Sequence, residues 1–195
     1  MSDNNIKKIL KVSDELKNKK LIIIDDDFIR SRIILNGISQ IELMGGKKSI
    51  MNDFVNIDKI AEEGIKARIE DLNKIIKNSS CQKIMVNNPY SVNGITLLEI
   101  ANHLLEQDGK IIISGTLNNK YFKVLTKKNN EEKIRNLGFS FYFEKGKLDQ
   151  TIQHEEFHQT SGQVIPADKM MTFYATKKTQ TLQKNDSLKK EVKNR

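Results

Sequence analysis

Cysteine occurs once in the 195 residues, at Cys81, which excludes an intramolecular disulfide. Histidine is almost as scarce. His103, His154 and His158 beside one thiol are too few for an ordinary structural zinc site, so no metal is expected. No apolar run approaches the ~20 residues that a membrane-spanning helix needs. Met1 to Lys20 is charged throughout and offers no apolar segment for a secretory signal. The cytoplasm is therefore the expected compartment. The body of the chain also lacks a charge of one sign. The net charge is +8, but residues 1–20 carry +3 and residues 177–195 carry +5, which leaves 21–176 neutral. A basic groove on the folded body is not indicated. The basic ends suit either weak, non-specific contact with nucleic acid or plain solvation.

What is present fits one soluble globular domain: 37% hydrophobic and 30% charged residues, with a length that supports one substantial core. The organisation expected is an N-terminal helix in residues 1–20, a single domain over 21–176, and a basic tail over 177–195. Ile6, Ile9, Leu10 and Leu16 recur at helical spacing and predict an amphipathic helix over 5–18. Leu21 to Ile24 reads as a short strand, Phe28 to Leu35 as extended chain, Ile38 to Met44 and Phe54 to Ile57 as strands. Residues 60–78 read as helical or mixed. Ile84 to Val86 is an apolar strand, and Ile95 to Glu106 is a strongly buried helix. Ile111 to Ser114 is a central strand, 118–136 is helical, and Phe139 to Phe143 and Met171 to Thr176 are late strands. This alternation predicts an α/β fold, a Rossmann-like three-layer sandwich whose mostly parallel sheet ends in an antiparallel strand pair.

The most informative residues are Asn87-Asn88-Pro89-Tyr90, directly behind Ile84-Met85-Val86. Proline lacks the N–H that a central strand needs, so the strand stops there and a loop begins at its carboxyl end. Open α/β sheets bind ligands at such ends. An Asn amide oxygen beside an aromatic ring suits a planar amino group, the oxygen accepting its protons and the ring stacking on its face. An ordinary Asn-Pro turn is the competing reading.

The order of parts resembles that of class I S-adenosylmethionine-dependent methyltransferases over about residues 38–176. Glu42-Leu43-Met44-Gly45-Gly46 looks like the family's acidic-glycine motif, and Val55-Asn56-Ile57-Asp58 like the second motif, whose carboxylate accepts the ribose hydroxyls. Ile69-Glu70-Asp71-Leu72 is similar to the third, where an acid meets the adenine edge. Asn87-Asn88-Pro89-Tyr90 resembles the Asn-Pro-Pro-Tyr loop of amino-group methyltransferases, with Asn88 in place of the first Pro. The resemblance implies S-adenosylmethionine as cofactor, with Glu42, Gly45, Gly46, Asp58 and Asp71 around it. It implies transfer to an amino or amide nitrogen of an unidentified acceptor at Asn87, Asn88, Pro89 and Tyr90. The chain departs from the pattern at Met44 and Lys48, which stand where glycines are usual. Residues 47–53 are also too few for the customary helix.

Other readings compete. One is a catalytically degenerate protein of this fold, serving as a bacterial effector or toxin or as a nucleic-acid-associated binding protein. Phe157 to Gly162 loosely resembles methyltransferase-like toxin tails. Another is a phosphoacceptor receiver domain, suggested by Leu21 to Asp27, but that fold needs a buried strand near Gly64 to Ile69 that the sequence does not offer. His154 and His158, four apart, lack a third ligand and read as polar loop residues.

Overall fold

The computed structural model describes residues 8–146 and 164–178. In chain order the elements are β1 Ile9–Lys11, α1 Val12–Asn18, β2 Leu21–Ile23, α2 Asp26–Arg30, β3 Ile34–Asn36, β4 Gln40–Leu43 and β5 Val55–Asp58. There follow β6 Gly64–Lys66, α3 Leu72–Ile75, β7 Cys81–Asn87, α4 Gly94–Leu104 and β8 Leu105–Thr116. The last are α5 Lys120–Lys123, α6 Glu131–Asn136, β9 Phe139–Lys145 and β10 Met170–Lys177.

The apolar runs at β4, β7 and β8 become neighbours at the centre of an eight-stranded sheet of order β2-β6-β5-β4-β7-β8-β10-β9. Strands β2 to β8 of this sheet pair in parallel, and β10 lies antiparallel between β8 and β9. The expected α/β architecture and its antiparallel close are both present. From β4 the chain steps outward to β5 and β6, then returns to β4's other side as β7. The order therefore reverses between β4 and β7, and the carboxyl ends at such a reversal are where open α/β sheets bind ligands.

Buried side chains of α1, α3, α4, α5 and α6 join Ile41, Leu43, Ile57, Ile84, Val86, Ile111, Ile113 and Phe173 in one large cluster. A second, small cluster on other strand positions contains Met51, Met85 and Ile112, with Ile50, Phe54 and Tyr174 packed against it. No helical residue enters it. Among the described residues, the layer here is the loop 44–54, because so short a β4–β5 connection has no room for the customary long helix.

Local pairing changes three expectations. Ile9 and Leu10 do not extend the N-terminal helix; they form β1, parallel to β3, and α1 is confined to Val12–Asn18. Phe28 lies in α2 instead of extended chain, because the Asp25 carboxylate caps that helix by accepting from Phe28 N at 2.8 Å. Within 60–78, Gly64–Lys66 is the strand β6, with Ile65 fully buried between β5 and β2. Three-residue strands carry no readable period, and their partners make them. Lys177 closes β10, and its ammonium donates to the carbonyls of Asn102 and Leu105 at the end of α4. Residues 1–7, His154, His158, Phe157 to Gly162 and 179–195 lie outside the described residues. Among the described residues no helix is long and apolar enough to cross a membrane.

The lone thiol is sealed in this core. Cys81 has no exposed surface, and burial pushes its thiol up to about 11, so little thiolate forms near neutrality. Native protein at pH 8 is expected to resist the thiol reagent dithionitrobenzoate and to react with one equivalent after unfolding. Prompt labelling of the folded protein would contradict this placement.

Candidate active site at the carboxyl ends of the central strands

Glu42, near the end of β4, is a buried carboxylate with only 1% exposure, and burying a charge is costly unless donors surround it. Three do. Ser49 Oγ and Ile50 N donate to Oε2 at 2.7 and 3.1 Å, and Asn87 Nδ2 donates to Oε1 at 3.1 Å. The loop 44–54 thus folds back to supply its own donors to the strand it leaves. Asp58, at the end of β5, is equally buried. Its Oδ2 accepts from Gly46 N at 2.9 Å and its Oδ1 from Ile60 N at 3.0 Å. The hydroxyl of Tyr90 reaches both oxygens, at 2.9 and 2.8 Å. Burial first, then the hydrogen bond and charge of Asp58, hold the Tyr90 phenol above its ordinary value.

Five of the expected residues therefore fall into two hydrogen-bonded groups, Glu42 with Asn87 and Asp58 with Gly46 and Tyr90. Gly45 belongs to their packing. A Cβ there would meet Asn56 Oδ1 at 2.7 Å and the Glu42 carboxyl carbon at 2.9 Å, so close internal contact demands this glycine. Gly46 differs. It has φ +76°, and an added Cβ would meet nothing within 4 Å, so open space adjoins the turn. Asn88 and Pro89 are held from another side. Asn119 Nδ2 donates to Asn88 Oδ1 and to the Pro89 carbonyl, both at 2.7 Å, while its own Oδ1 caps α5 by accepting from Tyr121 N and Phe122 N. Met44 and Asn88 both have left-handed backbone, at φ 60° and 50°, which costs on the order of 1 kcal/mol each and places strain in the loops that follow β4 and β7. Asp71 stands apart. Its carboxylate pairs with Lys74 at 2.7 Å, and no hydrogen bond among the described residues joins it to either group.

Among the described residues, two buried side-chain acceptors lack partners: Asn56 Oδ1 and Asn87 Oδ1. The assignment of Asn87 follows from its neighbour. A carboxylate only accepts, so the amide nitrogen must face Glu42, and the oxygen is the atom left over. Such orphans are rare and costly, of order 1–3 kcal/mol, and they cluster where a ligand completes the bonding. Sequence reasoning missed Ser49, Asn56 and Asn119. Asn56 carried a usable signal, a polar residue inside the buried strand Val55-Asn56-Ile57. Ser49 and Asn119 sit in polar loops and carried none.

The donor set fits an adenosyl cofactor. Asp58 already accepts a hydroxyl group, as a ribose carboxylate must; Gly46 leaves backbone bare beside open space; Asn87 offers an unfilled acceptor. The fit requires the Tyr90 hydroxyl to leave Asp58.

No protein-family model matches the chain, and no curated protein matches it in sequence. Solved structures do match in shape. A 16S rRNA (adenine(1408)-N(1))-methyltransferase from Catenulisporales acidiphilia, solved with S-adenosylmethionine, is 10% identical with TM-score 0.50, over 81% of this chain and 93% of that one. An S-adenosylmethionine-dependent methyltransferase from Archaeoglobus fulgidus is 10% identical with TM-score 0.48, over 73% of this chain and 87% of that one. At such identities the likeness is one of fold. Together with the strand order and the reversal between β4 and β7, it identifies the fold of this chain as that of the Rossmann-like class I S-adenosylmethionine-dependent methyltransferases.

Proposed function

We propose that this chain is an S-adenosylmethionine-dependent methyltransferase whose target is an amino or amide nitrogen. The observation that carries the reading is the unpaired, buried Oδ1 of Asn87 at the carboxyl end of β7, two strands from the Asp58 carboxylate that Gly46 N caps at the end of β5. Asp58 would hold the ribose hydroxyls, with Gly45 and Gly46 leaving the backbone bare beside the cofactor. Asp71 would serve the adenine edge. Bound S-adenosylmethionine supplies a methyl group that is already a strong electrophile, so the protein's work is alignment.

Asn87 Oδ1 and the Asn88 carbonyl accept protons from the target nitrogen and so aim its lone pair. Glu42 keeps Asn87 in the orientation that presents oxygen, and Asn119 fixes the loop that carries the Asn88 carbonyl. Tyr90 provides a flat face for the acceptor group. The reading includes a cytoplasmic protein, consistent with one sealed thiol, and leaves the acceptor unspecified.

Thermal unfolding with S-adenosylhomocysteine is the direct test. At a hundredfold its dissociation constant the ligand is expected to add ~2.7 kcal/mol of stability. A flat melting temperature up to millimolar ligand would refute the proposal. It would favour the second reading, a degenerate protein of this fold acting as an effector or as a nucleic-acid-associated binder. The observation on that side is the Asp58 carboxylate, whose two oxygens are already engaged by Gly46, Ile60 and Tyr90.

A further inference from the structure

Tyr90 is engaged in a way that the stacking role does not require. Its one hydroxyl proton is shared between the two oxygens of Asp58, at 2.9 and 2.8 Å. Gly46 N and Ile60 N take one further position on each oxygen. A carboxylate offers about four acceptor positions, so little remains for an incoming diol. The phenol occupies the place on Asp58 where ribose hydroxyls would bind.

The tyrosine is also built to leave. Its residue is 39% exposed, and Lys59 Nζ lies 5.7 Å from its ring centroid. The pin from Asn119 holds Asn88 and Pro89 but ends there, and Asn93 caps α4 by accepting from Ile95 N and Thr96 N. The backbone is thus fixed on both sides of Tyr90, while its side chain faces solvent along one flank. Rotation of one exposed side chain, a motion of picoseconds to nanoseconds, is enough to free Asp58.

We propose that Tyr90 is an exchangeable latch: its hydroxyl holds Asp58 until a cis-diol replaces it, and the released ring then becomes available to the methyl acceptor. The inference rests on the methyltransferase reading and adds regulation to that site. It couples the two substrates through one side chain. The donor binds first, because the acceptor's stacking partner is withheld until Asp58 is satisfied by another hydroxyl. The acceptor in turn tightens the donor, because a stacked Tyr90 no longer competes for the carboxylate.

Calorimetric titration of S-adenosylhomocysteine into wild type and Tyr90→Phe tests this without any acceptor. The variant keeps the ring and loses only the competing hydroxyl. It is expected to bind roughly tenfold tighter, the scale of one hydrogen bond to a charged group. Tyrosine emission gives a second readout on the unaltered protein, which has four Tyr and no Trp. A carboxylate partner quenches phenol emission, so wild type is expected to brighten on titration and Tyr90→Phe is not. Equal or weaker binding by the variant, or no brightening of wild type that binds, overturns the latch and leaves the methyltransferase reading standing. Absence of binding by both proteins at millimolar ligand overturns both.

Discussion

A Glu42→Gln protein is expected to fold and to bind S-adenosylhomocysteine, yet to transfer methyl groups roughly 100- to 1,000-fold more slowly, the usual scale for losing one preorganised polar contact. The change is nearly isosteric, and the reason lies in which atoms can donate. Ile50 N–H donates to Glu42 Oε2 and can do nothing else, so the amide oxygen of a glutamine must stay on that side. Its NH2 then points at Asn87, whose own NH2 now faces it. Two donors cannot face one another, so the Asn87 amide turns over. The atom left without a partner becomes a donor where an acceptor stood. The fold loses charge-assisted bonds but also a buried charge, so stability should change by about 1.5 kcal/mol or less. Methyl incorporation from radiolabelled S-adenosylmethionine, into whichever fraction of a cell extract wild type labels, measures the first effect. Thermal unfolding measures the second. Undiminished incorporation would remove the acceptor role of Asn87.

Gly64→Ala is expected to cause the largest loss of stability, about 3–5 kcal/mol, by adding backbone strain to overpacking. Gly64 opens β6 with φ +91°, where an L side chain is disfavoured, and an added Cβ would lie 2.4 Å from the Asn56 carbonyl oxygen and 3.1 Å from Asn56 N. The contact is with backbone, so no rotamer relieves it. Relief requires β6 to part from β5, and among the described residues β2 pairs in this sheet with β6 alone. Because Asn56 also donates to the Gly46 carbonyl at 2.9 Å, the disturbance reaches the turn beside Asp58. Gly37→Ala is the fitting control. Gly37 also has positive φ, +78°, but nothing lies within 4 Å of its added Cβ, so only the strain, about 1 kcal/mol, should appear. Urea denaturation of both variants reads the difference, and equal losses would show that the close approach to Asn56 is unimportant.

Both predictions turn on contacts that strand pairing creates, and this separates what was legible from what was not. The strands at β4, β7 and β8 and the helix α4 were readable because each holds enough consecutive apolar residues to show its period. The loop after β7 was readable because Pro89 must end a central strand. β1 and β6 were not, since three residues have no period, and α2 was hidden in a segment that read as extended until the Asp25 cap was seen. Asn119, a cap by its local role, gave no hint that its other end pins the Asn88-Pro89 loop.

The sequence by itself determined an α/β chain with a parallel centre, a neutral body, one thiol with no second cysteine to pair with, and two loops of suitable chemistry after β4 and β7. These follow from side-chain type and short-range spacing, which any stretch of chain displays before it folds. Only the tertiary structure decided that Glu42 orients Asn87 across 45 positions and that Tyr90 rests on Asp58 across 32. The reason is that strand order brings distant carboxyl ends together, and buried carboxylates then take the nearest donors the packing offers.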